Sequence, residues 1–488
     1  MISGIIVALR LDTGQWQILP TWGNLMKENI EADCLPIYGW YFVNRVNIVQ
    51  LFHPPSLHVG EWSKIARLIL LKSDWTLATG THVRHTTIKR LPVTLTMLVL
   101  VAVLISGCAT VQRQYPAPPA DVYESAQVSE FRNIRFWGDK PAPYLEEAVQ
   151  RLQNSIRNNP ALRERVDILA LSGGAEDGAY GAGFLKGWTE RGDRPEFFMV
   201  TGVSTGALIA PFAFIGPEYD DVIKKLFTKS SKKDIFFLTP FRALFGGAAL
   251  GDTAPLRKII EKEVDDEMVK AIARESRKGR ILQIATTNID AQRPVVWEIG
   301  IIAESGHPNA KRLIQRIMLA SASIPGVFPP VAIDIMINGE RYQEIHVDGG
   351  VTSQIFVYPR GLMVREIEKQ LNVYPKKTFW LIRNTKIAPD YSPVELGLSD
   401  ITSRSISTLI KYQGRGNLLN ISSLAERDGF DVHITNVPAD FNEPLNDFFD
   451  PVYMKTLYDN GYAKALSDCP WHIGLTDECD KTESRNPR

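Results

Sequence analysis

Between residues 166 and 215 the chain alternates strand-like and helix-like segments, an order that few folds accept. VDILALSGG (166–174) is an apolar run closing on glycines, followed by a helical pattern from Gly178 to about Arg191. FFMVTGVS (197–204) repeats the run and passes directly into the helical TGALIAPFAFI. Short apolar runs without alternation suit strands covered on both sides, and strand–helix–strand repetition calls for a parallel sheet with helices on both faces. Further strands are expected at ILQIATTNID, PVVWEIG, EIHVDGG, KTFWLIRNT and FDVHITNV, with an amphipathic helical stretch over PLRKIIEKEVDDEMVKAIARES. With no internal repeat and no low-complexity break, one large α/β domain from about 125 to 466 is expected.

Composition agrees with a folded chain and narrows its partners. Of 488 residues, 44% are hydrophobic and 23% charged, enough to bury a full core. Lys+Arg and Asp+Glu number 55 each, so the basic footprint of a nucleic-acid binder is missing. The four cysteines, at 34, 108, 469 and 479, form no CxxC and no Cys/His spacing of a zinc site, so no metal or other cofactor is indicated.

A targeting signal precedes the domain. Arg84, Lys89 and Arg90 are followed by an apolar run from about Leu91 to Ile105 and then by Ser106-Gly107-Cys108, the layout of an export signal too short for a transmembrane span. The ending resembles the lipobox of bacterial lipoproteins, which implies lipidation and cleavage at Cys108, with a plain transmembrane anchor as the other reading. Ala109 after the cysteine points, within that resemblance, to the outer membrane. Export signals begin near a start site, so the signal is read as 83–107, and residues 1–82 as untranslated or as a disordered upstream extension. A Pro/Ala-rich tether, extended and solvated, is expected at 108–124, and a tail at 467–488. In an oxidising compartment Cys469 and Cys479 suit a disulfide, with two free thiols as the alternative.

Three glycine-rich strand ends carry the chemistry. Gly202-Val203-Ser204-Thr205-Gly206 is a GxSxG where a strand meets a helix, the setting of a nucleophile elbow. The bare motif arises easily by chance, and its context is what gives it weight. Upstream, Ser172-Gly173-Gly174-Ala175-Glu176-Asp177-Gly178 also joins strand to helix, and the backbone N–H groups of Gly173, Gly174 and Ala175 are candidate oxyanion donors. A phosphate loop is disfavoured because the Lys-Ser/Thr ending is missing. Downstream, His346-Val347-Asp348-Gly349-Gly350 delivers an aspartate to a turn at a strand end, where open α/β sheets place ligand sites.

In this order the three elements resemble the patatin-like phospholipases, over about 166–357, and ASASIPGVFPPV (320–331) is similar to the family as well. The resemblance implies a three-layer α/β/α fold with a central, mostly parallel sheet and a Ser-Asp dyad, Ser204 attacking an acyl ester and Asp348 serving as its base. The dyad specifies only acyl transfer from an ester, whether phospholipid, lysophospholipid, triacylglycerol or small ester; the expected lipid anchor favours a membrane-derived substrate, and a serine nucleophile calls for no metal. The family's loop commonly reads GGGxRG; here Ala175 stands for the third glycine and Asp177 for the arginine. A carboxylate at 177 would repel an oxyanion, so Asp177 is expected to point away from Ser204 and pair with a nearby Lys or Arg.

The sequence leaves two rival readings open. A conventional Ser-His-Asp hydrolase would draw its histidine from His433 or His472, although His433 lies inside a strand-like run. A catalytically silent envelope lipoprotein is the other. His346, two residues before Asp348, is expected on the same strand face, lining the cleft. The apolar IFFLTPFRALFGGAAL (235–250) either caps the cleft against lipid or is plain core.

Overall fold

The computed structural model describes residues 113–239, 248–476 and 478–480, together with four short upstream strands. The chain divides into two compact units, Met1–Arg90 and Leu91–Arg488. In the first, β1 (Val7–Arg10) pairs antiparallel with β2 (Trp16–Leu19), and β3 (Val43–Asn44) with β4 (Asn47–Ile48). The export segment 83–107, Cys108 and most of residues 1–82 lie outside the described residues.

The second unit is built on an eleven-stranded sheet. Its centre is five parallel strands in the order β16 (Asp431–Asn436), β15 (Lys376–Arg383), β7 (Arg165–Leu171), β8 (Met199–Val203) and β11 (Ile281–Asn288). Antiparallel strands extend both sides. β14 (Glu340–Asp348), β13 (Val331–Ile337) and β5 (Gln127–Val128) follow β11, and β17 (His472–Ile473) closes the β16 edge. β12 (Arg293–Glu298) also pairs with β11 and carries β6 (Arg135–Trp137). A separate ladder joins β9 (Phe237–Leu238) to β10 (Gly251–Asp252).

Side-chain alternation along the strands builds two cores. Leu169 and Leu171 of β7 and Trp380 and Ile382 of β15 face one side, where the helices Gly178–Arg191, Thr205–Ile215, Ala310–Ser321 and Pro451–Leu466 pack. Ile168, Ala170, Phe379 and Leu381 face the other, covered by Leu418, Ile421 and Leu424 of the helix Leu398–Asp428. The result is the expected three-layer α/β/α arrangement, and it explains why these strands read as continuous apolar runs. Among the described residues no helix is long and apolar enough to cross a membrane.

Several local expectations change. The stretch read as one amphipathic helix is two, Ala254–Glu263 and Asp266–Arg277, because the carboxylate of Asp265 accepts from Met268 N and caps the second. The domain does not stop at 466. Trp471 is buried among Phe184, Trp188 and Trp380, β17 adds to the sheet, and the sulfurs of Cys469 and Cys479 are bonded to each other. The tether is held where it is described: Arg113 pairs with Asp290, Gln114 N donates to Gln343 Oε1, and Gln343 N donates to Pro116 O. The apolar stretch at 235–250 begins as core, with Phe236 between Phe328 and Phe449, and then surfaces at Phe237, Leu238 and Leu250. Residues 240–247 lie outside the described residues.

Candidate active site

The central strands end where the three glycine motifs converge. Ser204 follows the last residue of β8 and caps the helix Thr205–Ile215, with φ 53 and ψ −122. An L-residue in that region is strained, and the strain is the structural mark of a nucleophile elbow. The turn closes only because the flanking positions lack side chains. A Cβ on Gly202 would lie 2.5 Å from Gly206 O, and one on Gly206 would strike the carbonyl oxygens of Leu171 and Ser172.

Asp348 arrives at the end of β14, directly opposite Thr286 of β11. Ser204 Oγ donates to Asp348 Oδ2 at 2.6 Å, and Gly350 N donates to the other carboxylate oxygen at 2.7 Å. Both side chains are buried. Burial pushes the Asp348 carboxyl up to about 7, against the hydrogen bonds from Ser204 and Gly350, which favour its charged form. A carboxyl in that range both takes and returns a proton near neutrality.

The segment 320–331 fixes both residues. Ser321 Oγ accepts from Ser204 N at 2.9 Å and donates to Ala285 O at 2.7 Å, while Ser323 O accepts from Asp348 N at 2.9 Å. Neither serine was singled out in the sequence, because a lone hydroxyl in a loop carries no local signal of its target.

The glycine loop lies beside the elbow but offers different donors from those expected. A Cβ on Gly173 would sit 3.1 Å from Ser204 Cβ, so this backbone borders the serine. Its N–H, however, donates to Gln354 O at 3.0 Å and is not free to stabilise an oxyanion. The N–H groups of Gly174 and Ala175 have no acceptor among the described residues. Thr205, whose N–H heads the helix directly after Ser204, supplies a third orphan donor that the sequence pattern did not single out. Asn384 sets the loop's shape: Nδ2 donates to Ser172 O, its backbone N to Ser172 Oγ, and its Oδ1 accepts from Gly181 N. Gln354 joins the loop to the aspartate turn through Nε2, which donates to Gly350 O.

Ala175 occupies the left-handed region at φ 48, the cost of an alanine where glycine fits freely. Asp177 does not pair with a Lys or Arg as expected. Its Oδ1 accepts from Tyr453 Oη at 2.6 Å, and burial raises its carboxyl to about 7, with Glu176 beside it raised by burial too. With its carboxyl raised to about 7, Asp177 carries less charge near neutrality than an ordinary aspartate and repels a neighbouring oxyanion correspondingly less. Asp177 is not part of the cavity wall at Ser204.

That cavity, of about 70 Å³, is walled by Leu208, Phe212, Leu256, Met318, Phe328 and Met454, with Ala175, Ser204 and Thr205 at its polar edge. Its walls are almost wholly apolar, suited to the hydrocarbon next to an ester. At about 30 Å³ per water-sized group it holds only two or three methylenes, so a long chain needs room beyond it.

The histidines lie elsewhere. Register runs from His433 through Trp380 and Leu169 to Val200, four residues before Ser204. Three strand spacings and four residues of rise put His433 roughly 20 Å from the serine. It stacks on Trp380 and pairs with Asp480. His472 belongs to β17, one strand further out. His346 does not line the cleft: it is fully buried between Thr286 Oγ1 and Glu344, whose other partner is Arg135.

Residues 169–359 match a family model described as patatin-like phospholipase. Over that segment, which spans all three motifs, the chain is similar to this family, and the match supports lipid acyl hydrolase activity. No curated protein matches the chain significantly in sequence. A crystal structure of VipD from Legionella pneumophila is similar at 15% identity and a TM-score of 0.29, covering 62% of this chain and 66% of that one, just under two thirds of its length.

Proposed function

We propose that this patatin-like domain cleaves fatty-acyl esters of membrane lipids through a Ser204–Asp348 dyad. The observation that carries this reading is the 2.6 Å hydrogen bond from Ser204 Oγ to Asp348 Oδ2 on a strained elbow. Ser204 Oγ attacks the acyl carbonyl carbon while its proton passes to Asp348 Oδ2. Charge then gathers on the carbonyl oxygen, and the N–H groups of Gly174, Ala175 and Thr205 are the donors at hand. As the intermediate collapses, Asp348 returns the proton to the departing alkoxide, leaving an acyl-serine and a free alcohol. Water attacks next, giving a proton to Asp348; that proton goes back to Ser204 Oγ as the fatty acid leaves. The chain has no part in this scheme for a histidine.

The substrate class follows from the apolar cavity at Ser204 and from the expected anchor. A lipobox cysteine at Cys108 would tether the domain to a bacterial envelope membrane, the outer one by the Ala109 rule, and raise its concentration against lipid esters. The test is fatty-acid release by the full-length protein from micelles of phospholipid and of lysophospholipid, beside short-chain esters. Release from either lipid, lost in Ser204→Ala, supports the reading; turnover of short-chain esters alone removes the lipid substrate, and no turnover of any ester removes the hydrolase. Anchoring is tested separately by labelled palmitate incorporation in a bacterial host, expected to vanish in Cys108→Ser.

A further inference from the structure

A second, larger cavity, of about 420 Å³, lies at the opposite ends of the same strands from Ser204, beside Met199 at the start of β8 and Ile281 at the start of β11. Its walls are chiefly apolar, formed by Leu152, Phe198, Tyr358, Leu362 and Val373 among others. Volumes of about 300–1,000 Å³ are typical of small-molecule sites. Taking each methylene at roughly the 30 Å³ of a water, it accommodates a chain of about a dozen carbons or more.

One part of the lining is polar and incompletely paired. Tyr144 Oη and Gln283 Oε1, on side chains only 7% and 6% exposed, have no hydrogen-bond partner among the described residues. Gln283 faces Glu298 across the β11–β12 ladder, and its Nε2 donates to Glu298 Oε1 at 2.9 Å. Tyr144 lies close enough to Glu298 for the carboxylate's charge to act on the phenol. Burial lifts the Glu298 carboxyl to about 7, so the cluster is largely uncharged below neutrality. Polar atoms are rarely left buried and unpaired, and here a hydroxyl donor and an amide acceptor adjoin one apolar cavity.

Those groups match a head group that both accepts and donates a hydrogen bond, and a carboxylic acid is the one that a lipid-ester hydrolase releases on a long chain. A carboxylic acid accepts from Tyr144 through its carbonyl oxygen and donates its O–H to Gln283 Oε1, with Glu298 beside it. Arg151, Arg280 and Lys377 of the lining are committed to other acids, Glu304, Glu275 and Glu368, so at this cluster a phosphate or sulfate would meet a carboxyl and an amide lone pair with a single hydroxyl to serve several acceptor oxygens. We propose that this cavity binds a long-chain free fatty acid, its carboxyl held by Tyr144, Gln283 and Glu298 and its chain along the apolar walls. The site is separate from the Ser204 cavity, sharing none of its lining, and requires neither the dyad nor hydrolase activity.

The test is equilibrium binding of palmitic acid to the full-length protein, with dodecyl phosphate for comparison. Saturable binding of one palmitic acid per chain is expected, weakened about three- to tenfold by Tyr144→Phe, which deletes one hydrogen bond and keeps the ring. Val373→Trp, checked to be folded, should abolish it by filling the cavity. Leu208→Trp, which fills the Ser204 cavity instead, should leave it unchanged. The proposal is overturned if binding is absent, if Tyr144→Phe has no effect, if Leu208→Trp removes the binding, or if dodecyl phosphate binds as tightly.

Discussion

Ser321 Oγ bridges Ser204 N and Ala285 O, tying the strained elbow to the neighbouring central strand. The same segment holds Asp348 through Ser323 O, so one short stretch sets the position of both residues of the proposed dyad.

Ser321→Ala removes the acceptor of a buried N–H and should destabilise the protein by about 1–3 kcal/mol. It should also lower kcat more than it raises KM, because the elbow loses its fixed aim without losing cavity wall. Denaturant melts and ester kinetics on the purified variant check both parts; a variant with unchanged stability would show that the bridge does not support the elbow.

Ala175→Gly should stabilise the protein by up to about 1 kcal/mol. Relief of the left-handed alanine at φ 48 outweighs the extra freedom that glycine gains in the unfolded chain. A thermal melt measures the shift, and a lower Tm would mean that the loop draws support from the Ala175 methyl.

Acid should switch catalysis off while the Asp348 carboxyl contributes more to stability, against the buried His346 and the half-buried His433, whose lowered pKa values work the other way. Asp348 must be ionised to accept the serine proton, so kcat/KM should fall about tenfold per unit of pH below about 7. For stability the sign is opposite. The folded carboxyl is raised to about 7 from 3.8, so between about 4 and 7 the folded state binds more protons than the unfolded one, and stability declines as pH rises through that window. Asp177 and Glu298 are raised in the same direction and add to the trend. Urea midpoints from pH 4.5 to 7.5 should shift less in Asp348→Asn than in the parent; an equal shift would show that Asp348 is not the source.

His433→Ala separates the dyad from a histidine triad. Its ring stacks on Trp380 and pairs with Asp480 about 20 Å from the serine, so kcat/KM should change less than twofold while stability falls modestly. Loss of activity by two or more orders of magnitude, in protein shown to be folded, would restore the triad.

The fold's centre was legible because its strands are buried on both faces and therefore apolar throughout, and because glycines mark the ends of β7, β8 and β14. Ser204 and Asp348 stand at such ends, and their meeting follows from strand order. Gln354, Asn384 and Ser321 were not legible, since each acts by meeting one particular backbone group brought from a distant part of the chain. For the same reason Gly173 looked like a free donor until the chain at Gln354 O closed over it. Trp471 and β17 were missed because two residues show no period, whereas Asp265 did offer a readable helix-capping signal inside the stretch taken as one helix.

The most direct measurement is labelling by a fluorophosphonate, which reacts covalently with an activated serine, followed by peptide mass spectrometry. A Ser204–Asp348 dyad predicts a single adduct, on the Ser204 peptide, absent in Ser204→Ala and formed at least a hundredfold more slowly in Asp348→Asn. An adduct on another serine, or labelling of Asp348→Asn at the parent rate, would contradict it.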